Sequence, residues 1–395
     1  MKVSNKANIL REHCQGWRTS RSHAPFTSAR PRKAAALRVM AAYPAVTQWV
    51  GAHLPGGPVV RECSLGGSGW SSAFVVETQG GQRYFVKTSQ GRDDGGSMFR
   101  GEALGLQALY GEERGLDTHT LRVPKVFHVG SLSEDGSSTA EDSSSRGSSS
   151  SSNSSGSKGR GGAGGSFIVM EYLDLRGGGG GVDMAALGRG LAQMHLATPT
   201  VREGVRGYLG FRERGFIYLD FRTSDDPVAA AGQFGFPTDN TLGGSPQLNG
   251  WSDDWVAFWR ERRLQPQLRM TGDTKLMRLG ERLCDNLHCF FEGIDVRPSV
   301  LHGDLWSGNI GCVGGQPAIF DPATYFGHHE AEFGMSWCAG FTQEFYIAYH
   351  ELIPRAPGFE RRAELYRLYH YLNHLNLFGE GYYSQCASIL QRLTS

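Results

Sequence analysis

The chain has 395 residues, a formal net charge of +1 and seven cysteines. Residues 1–40 carry nine Lys/Arg against the single acid Glu12, a net +8 that leaves the remainder at −7, so no basic surface for nucleic acid is expected there. No apolar run approaches the roughly 20 residues of a membrane-crossing helix. Cys14, Cys63, Cys284, Cys289, Cys312, Cys338 and Cys386 form neither a CxxC pair nor a zinc spacing, which favours a reducing compartment and mostly buried thiols.

Residues 1–40 are rich in Arg, Ser and Ala and nearly free of acid, the composition of an organelle transit peptide. A disordered basic tail has the same composition. Chloroplast and mitochondrion share this signature, and the Val39-Met40-Ala41 step leans toward the chloroplast.

Val46, Trp49, Val50 and Leu54 recur at helical spacing over 43–55. A strand at Arg61–Leu65 then enters Gly66-Gly67-Ser68-Gly69, and Ala73–Glu77 leaves it. Glycines let backbone N–H groups approach a phosphate closely, but in a chain with 55 glycines a plain hairpin turn reads the same way. Arg83–Lys87 is a third strand ending in Lys, as the phosphate-contacting Lys of kinases does. Phe99, Ala103, Leu104, Leu106, Ala108 and Leu109 give a helix carrying Glu102, and a Lys87–Glu102 ion pair would hold the ammonium against nucleotide phosphates. A surface Lys and a surface Glu remain the plainer alternative.

Val123–Val129 is a fourth strand with Pro124 at its edge. Residues 131–166 are almost wholly Ser and Gly with a few charges and cannot bury a core. Closing such a loop costs little, so it is expected to be a disordered insertion within a hairpin rather than a domain boundary. Phe167–Leu173 is the return strand; it reads equally as an ordinary buried strand, and in a kinase it would lead into the hinge, where the backbone of Glu171, Tyr172 and Leu173 would meet an adenine edge. Glycines 177–181 loosen the link to a helix over Met184–Leu196. The 199–250 stretch is Gly- and Pro-rich, and helical faces follow at Trp255–Leu268 and Leu276–Leu287.

The sharpest motif is His302-Gly303-Asp304-Leu305-Trp306-Ser307-Gly308-Asn309, followed by an apolar pair and Asp321. Phosphoryl transfer needs a carboxylate near the attacking hydroxyl and oxygen ligands for Mg²⁺ on the nucleotide. Asp304 suits the first task, Asn309 and Asp321 the second. Gly303 replaces the Arg of protein kinases and points to small-molecule acceptors. His328-His329-Glu330-Ala331-Glu332 lacks the i, i+4 histidine spacing of a zinc helix and reads as a helix start whose charges face the cleft. The aromatic-rich C-terminal third is expected to be core.

Together these residues resemble the fructosamine kinase (ketosamine-3-kinase) family. The resemblance rests on HGDLWSGN (302–309), DPATYFGHHE (321–330), FGFPTDNT (234–241), Trp251–Trp255, Arg355–Phe359 and YHYLNHLNLF (369–378), and it runs from about residue 45 to the end. FGMSWCAGF (333–341) looks most like plant and algal members. The resemblance implies an α+β, bilobal protein-kinase-like (aminoglycoside phosphotransferase-like) fold. A β-rich N-lobe would span 43–173 and a mostly helical C-lobe 174–395. It implies ATP and Mg²⁺ as cofactors and phosphorylation of the 3-hydroxyl of ketosamines on glycated lysines, after which the product eliminates and the amine is restored. The likeness to plant-type members further implies a preference for ribulosamine and erythrulosamine adducts over fructosamine.

By motif, Asp304 is the base, Asn309 and Asp321 bind Mg²⁺, and Gly66, Gly67, Gly69, Lys87 and Glu102 serve the phosphates. Glu171, Tyr172 and Leu173 form the hinge. Trp306, His328 and Glu330 are expected near the acceptor. Partners would be glycated proteins or free ketosamines, with no nucleic acid and no membrane, and the protein would be a monomer or homodimer. Many relatives carry Cys where Trp70 stands, so thiol control of the loop is not expected. A kinase of a free amino sugar or choline-like molecule, and a nucleotide-binding pseudokinase, are the competing functions.

Overall fold

The computed structural model describes residues 43–90, 97–110, 120–132, 164–175, 181–197 and 232–395. The leader 1–40, most of the Ser/Gly insertion and most of the glycine run at 177–181 lie outside them. The first helix, α1 (Pro44–His53), opens with Pro at its start, where a missing N–H costs nothing. It precedes β1 (Val59–Gly67), β2 (Ser72–Thr78) and β3 (Arg83–Gln90). Helix α2 (Ser97–Tyr110), β4 (Val126–Ser131) and β5 (Gly165–Glu171) follow. The strands form one antiparallel sheet in the order β1-β2-β3-β5-β4.

Alternation decides what each face of this sheet does. Phe74, Val76, Tyr84, Val86, Phe167 and Val169 point to one side and close a core with Val46 and Val50 of α1. Lys87 is next to Val86 in sequence and therefore faces the other side. On that side Ile168 and Met170 join α2 in a larger core continuous with the helical region. The two cores thus divide at the sheet's faces and not at a point along the chain. Ser131 pairs with Ser166, and Leu132 N–H donates to Gly165 O at 2.7 Å, so the ends of the insertion meet across neighbouring strands.

The helical region begins with α3 (Met184–Leu196), capped by Asp183, whose carboxylate accepts from Ala186 N–H at 2.9 Å. A two-residue hairpin, β6 (Asn240–Leu242) and β7 (Ser245–Gln247), turns at Gly243-Gly244. One helical rod then runs from α4 (Trp255–Phe258) through a π-helical stretch (Trp259–Leu264) into α5 (Gln265–Thr271). Buried Arg263 sits in the π stretch, 4.0 Å over the Tyr325 ring. Helix α6 (Thr274–Asp285) follows.

Two short antiparallel pairs carry the motif residues. β8 (Pro298–Leu301) pairs with β11 (Tyr325–His328), and β9 (Ile310–Val313) with β10 (Gln316–Ile319). After β11 the chain forms a 3₁₀ segment (His329–Met335), then α7 (Ser336–Ala339), α8 (Gln343–His350), α9 (Phe359–Phe378) and α10 (Tyr383–Leu393). Of the C-terminal aromatics expected in the core, Phe345, Tyr349, Tyr366 and Tyr369 are buried, whereas Trp337 and Phe378 are exposed.

Candidate active site

The HGD motif occupies the turn between β8 and β9, and Asp321 lies just past β10. Gly303 has φ +79°, and a Cβ there would stand 2.2 Å from the Ala323 carbonyl oxygen. Only glycine fits both demands, so the turn after His302 is fixed by backbone packing as well as by chemistry. Buried Leu305 anchors the loop. Trp306 folds back over Gly308, where a Cβ would meet the indole at 2.3 Å.

Asn309 binds the two carboxylate-bearing segments together. Its Nδ2 donates to Asp304 O at 2.9 Å, Asp304 Oδ2 at 3.3 Å and Asp321 O at 3.2 Å. Asp321 is the one non-glycine with positive φ among the described residues, at +63°. An Asp held in that region stores backbone strain of the kind that clusters at functional sites.

From β3, Lys87 Nζ lies 2.6 Å from Glu102 Oε1 and 2.5 Å from Asp321 Oδ1. Burial alone would lower the Lys87 pKa, but Asp321 and Glu102 outweigh it and hold the ammonium above its ordinary range. Glycines set Glu102 in place. A Cβ on Gly101 would come within 2.8 Å of Asn240 Cβ, and one on Gly105 within 2.8 Å of Thr324 Oγ1. Bare backbone one turn apart thus lets α2 dock beside the segment that follows Asp321.

The sheet places the glycine stretch at the β1–β2 connection. Gly66, at φ +97°, and Gly67 pair with Ala73 and Ser72. Gly69 lies in the turn, which Ser68 N–H closes onto Ser71 O at 2.7 Å. Cys63 is partly buried within β1. At the end of β5, Glu171 N–H donates to Lys125 O at 2.8 Å, and the Glu171 side chain pairs with Arg122. Leu173 O accepts from Leu175 N–H at 3.0 Å. The Glu171 N–H and the Leu173 carbonyl are thus engaged within the chain.

Glu332 is the residue that motif reading passed over. Its buried carboxylate accepts His302 N–H at 2.7 Å and Gly303 N–H at 3.0 Å, and His195 Nε2 at 3.3 Å. Burial would raise this carboxyl, but the hydrogen bond from His195 and the His302 N–H outweigh it and hold it below the ordinary range. His195 in turn meets the Tyr349 hydroxyl at 2.7 Å. A buried acid two residues after Glu330 was a signal, but nothing local tells which backbone it serves.

His328 and Glu330 do not face the cleft. His328 is buried with Nδ1 2.7 Å from the Tyr366 hydroxyl, and both Glu330 oxygens accept from Arg362, at 2.7 and 2.8 Å. The interior of the helical region offered these groups better partners than solvent did. Ligand atoms of His328, His329 and Glu330 lie within 4.8 Å of one another, but the guanidinium already satisfies the carboxylate that a cation would need.

Comparison with known proteins adds an independent line. A family model described as fructosamine kinase matches residues 48–208 and 226–395. The chain is 41% identical over 371 residues to the chloroplastic protein-ribulosamine 3-kinase of Oryza sativa subsp. indica, covering 92% of this chain and 88% of that one. It is 34% identical to the ketosamine-3-kinase of Mus musculus, over 83% and 93% of the two chains. The fold is also that of a candidate fructosamine-3-kinase crystal structure from Thermobifida fusca, with a TM-score of 0.62 at 24% identity over 88% of this chain and 98% of that one.

Proposed function

The chain belongs to the fructosamine kinase family, and from this we propose an ATP-dependent ketosamine 3-kinase that phosphorylates ribulosamine-type adducts on glycated lysines. The observation that carries the reading is one cluster: Lys87, Glu102 and Asp321 joined across the cleft, with Asn309 tying Asp321 to Asp304.

In this reading Asp304 takes the proton of the sugar 3-hydroxyl as its oxygen bonds to the γ-phosphorus and the bond to the β-phosphate oxygen breaks, releasing ADP. Lys87 contacts the phosphates while Glu102 holds it. Gly66, Gly67 and Gly69 leave the phosphates room at the loop, and the Leu173 N–H meets the adenine edge beside Tyr172. Asn309 and Asp321 offer an amide and a carboxylate oxygen, hard donors that fit Mg²⁺, which would neutralise charge on the phosphates. Trp306, half-buried over Gly308, serves as a wall near the acceptor. The sheet and its helices (43–173) and the helical part (174–395) are the two lobes.

The rice relative is named chloroplastic, and residues 1–40 have the composition of a leader, so the working compartment is the chloroplast. A full-length fluorescent fusion that stays in the cytosol would refute this placement. The direct test of function is mass spectrometry of a ribated protein before and after incubation with enzyme and Mg-ATP. Phosphate gain on the sugar followed by recovery of unmodified lysine is expected. ATP binding without any transfer would overturn the kinase reading.

A further inference from the structure

The tip of the glycine turn carries a large aromatic side chain, Trp70, and that side chain leaves its own sheet. It is half-buried against the turn of the β6–β7 hairpin. A Cβ on Gly243 would stand 3.3 Å from Trp70 Cζ2 and 3.1 Å from Leu377 Cδ1. One on Gly244 would stand 3.2 Å from Trp70 Cε3 and 3.5 Å from Leu377 Cδ2. The six-membered ring of the indole therefore packs against the bare backbone of both glycines, with Leu377 of α9 beside it. A side chain at either glycine would compete for the space the ring occupies.

The hairpin is itself tied to the catalytic segment. Asn240 Nδ2 donates to Thr324 O at 2.8 Å, and Gln247 Nε2 donates to Ala323 O at 3.0 Å and Asn240 Oδ1 at 2.8 Å. Tyr369 Oη donates to Gln247 Oε1 at 2.9 Å. Both amides are buried. Ala323 and Thr324 follow Asp321 by two and three residues, and Gly101 of α2, next to Glu102, packs on Asn240. By contrast, the hydrogen bonds of the glycine turn run between its own Ser68 and Ser71.

We propose that Trp70 and the Gly243-Gly244 turn form a clasp that closes the glycine loop over the phosphate site and registers it against the Asp321 segment. Trp70 is then a positioning residue. It sets how well the loop's backbone is aimed and how well water is kept from the γ-phosphate during transfer. The inference rests on the kinase reading above, since a clasp needs a phosphate site to close.

The test compares wild type, Trp70→Ala, Trp70→Phe and Gly244→Val in the full chain. The readouts are KM for ATP, kcat for phosphate transfer to a ribated peptide, and ATP hydrolysis without acceptor. Loss of one aromatic contact predicts that Trp70→Ala raises KM for ATP about 3- to 10-fold. Hydrolysis per transfer event should rise with it, and Trp70→Phe should recover most of both. Gly244→Val should reproduce the Trp70→Ala pattern from the opposite side of the contact, and it decides the matter alone if Trp70→Ala melts early. Variants with wild-type KM and an unchanged ratio of hydrolysis to transfer would overturn the clasp while leaving the kinase reading intact. A wild type that transfers no phosphate would overturn both.

Discussion

Two buried cations show how differently the cleft and the interior of the helical region are built. Lys87 is shared by Glu102 from α2 and Asp321 from beyond β10, and the Asp321 side chain is 31% exposed. Arg362 forks onto both oxygens of Glu330, and its remaining N–H groups reach the carbonyls of Phe290, Ala356 and Pro357. A compact ammonium on a flexible stem can exchange one carboxylate for a phosphate, whereas a planar fork with every donor placed cannot change partners cheaply. On the proposed kinase reading the first pair is arranged for use, and the second is built for permanence. The same contrast separates Glu332, which is spent on the backbone of His302 and Gly303, from Asp304, whose side chain remains partly exposed.

The contrast is most sharply tested where chemistry can fail without the fold. Asp304→Asn should lower phosphate transfer roughly 100- to 10,000-fold, the usual loss for a general base, with its melting temperature and ATP binding near wild type. Turnover within a few-fold of wild type would remove Asp304 from the reaction.

Breaking the interior pair should do the opposite. Glu330→Gln leaves Arg362 buried without its counter-charge and should cost about 3–5 kcal/mol of stability. Glu102→Gln leaves Lys87 its Asp321 partner, so its main effect should be roughly tenfold on kcat/KM, with little change in melting. Thermal melts and steady-state kinetics on both variants decide this. If Glu102→Gln melted as early as Glu330→Gln, the division between working and permanent pairs would be wrong.

Acid should act more on the helical region than on the sheet. Burial, with like charge from neighbouring histidines, lowers His329 and His370 to about 3, and it also depresses His302 and His328. In the sheet, His128 is lowered to about 4 by burial and by His53. A depressed folded pKa means that the unfolded chain binds the proton first. The stability these groups contribute is therefore complete above the unfolded value, roughly 6.5, and is lost as pH falls toward the folded values. Hydrogen exchange corrected for its intrinsic rate, followed from pH 7.5 to 5, should show protection falling sooner in 298–378 than in 59–90. The reverse order would contradict the assignment.

The smallest effect is expected where the sheet makes the connection short. Replacing residues 133–163 with a brief Gly-Ser turn should leave melting and kinase activity within about twofold, because Ser131 and Ser166 already pair. A collapse of either property would show that the insertion does more than connect β4 to β5.

Much of this molecule is written locally. Alternation around Lys87, the helical spacing of α2 and α3, and the HGD-to-Asn309 interval are short-range patterns, and a strand or loop imposes them whatever lies beyond. They were enough to identify the five strands of the sheet, the Lys87–Glu102 pair and the loop that carries Asp304. What packing decided is pairing over long separations. Glu332 reaches back 30 residues to His302 N–H, and Arg362 reaches 32 to Glu330. Trp70 meets a diglycine turn more than 170 positions away. The sequence places His328 and Glu330 shortly after Asp321 and so suggests the same site. Their side chains turn inward because a buried hydroxyl and a guanidinium wait there, and only the assembled core brings those partners within reach.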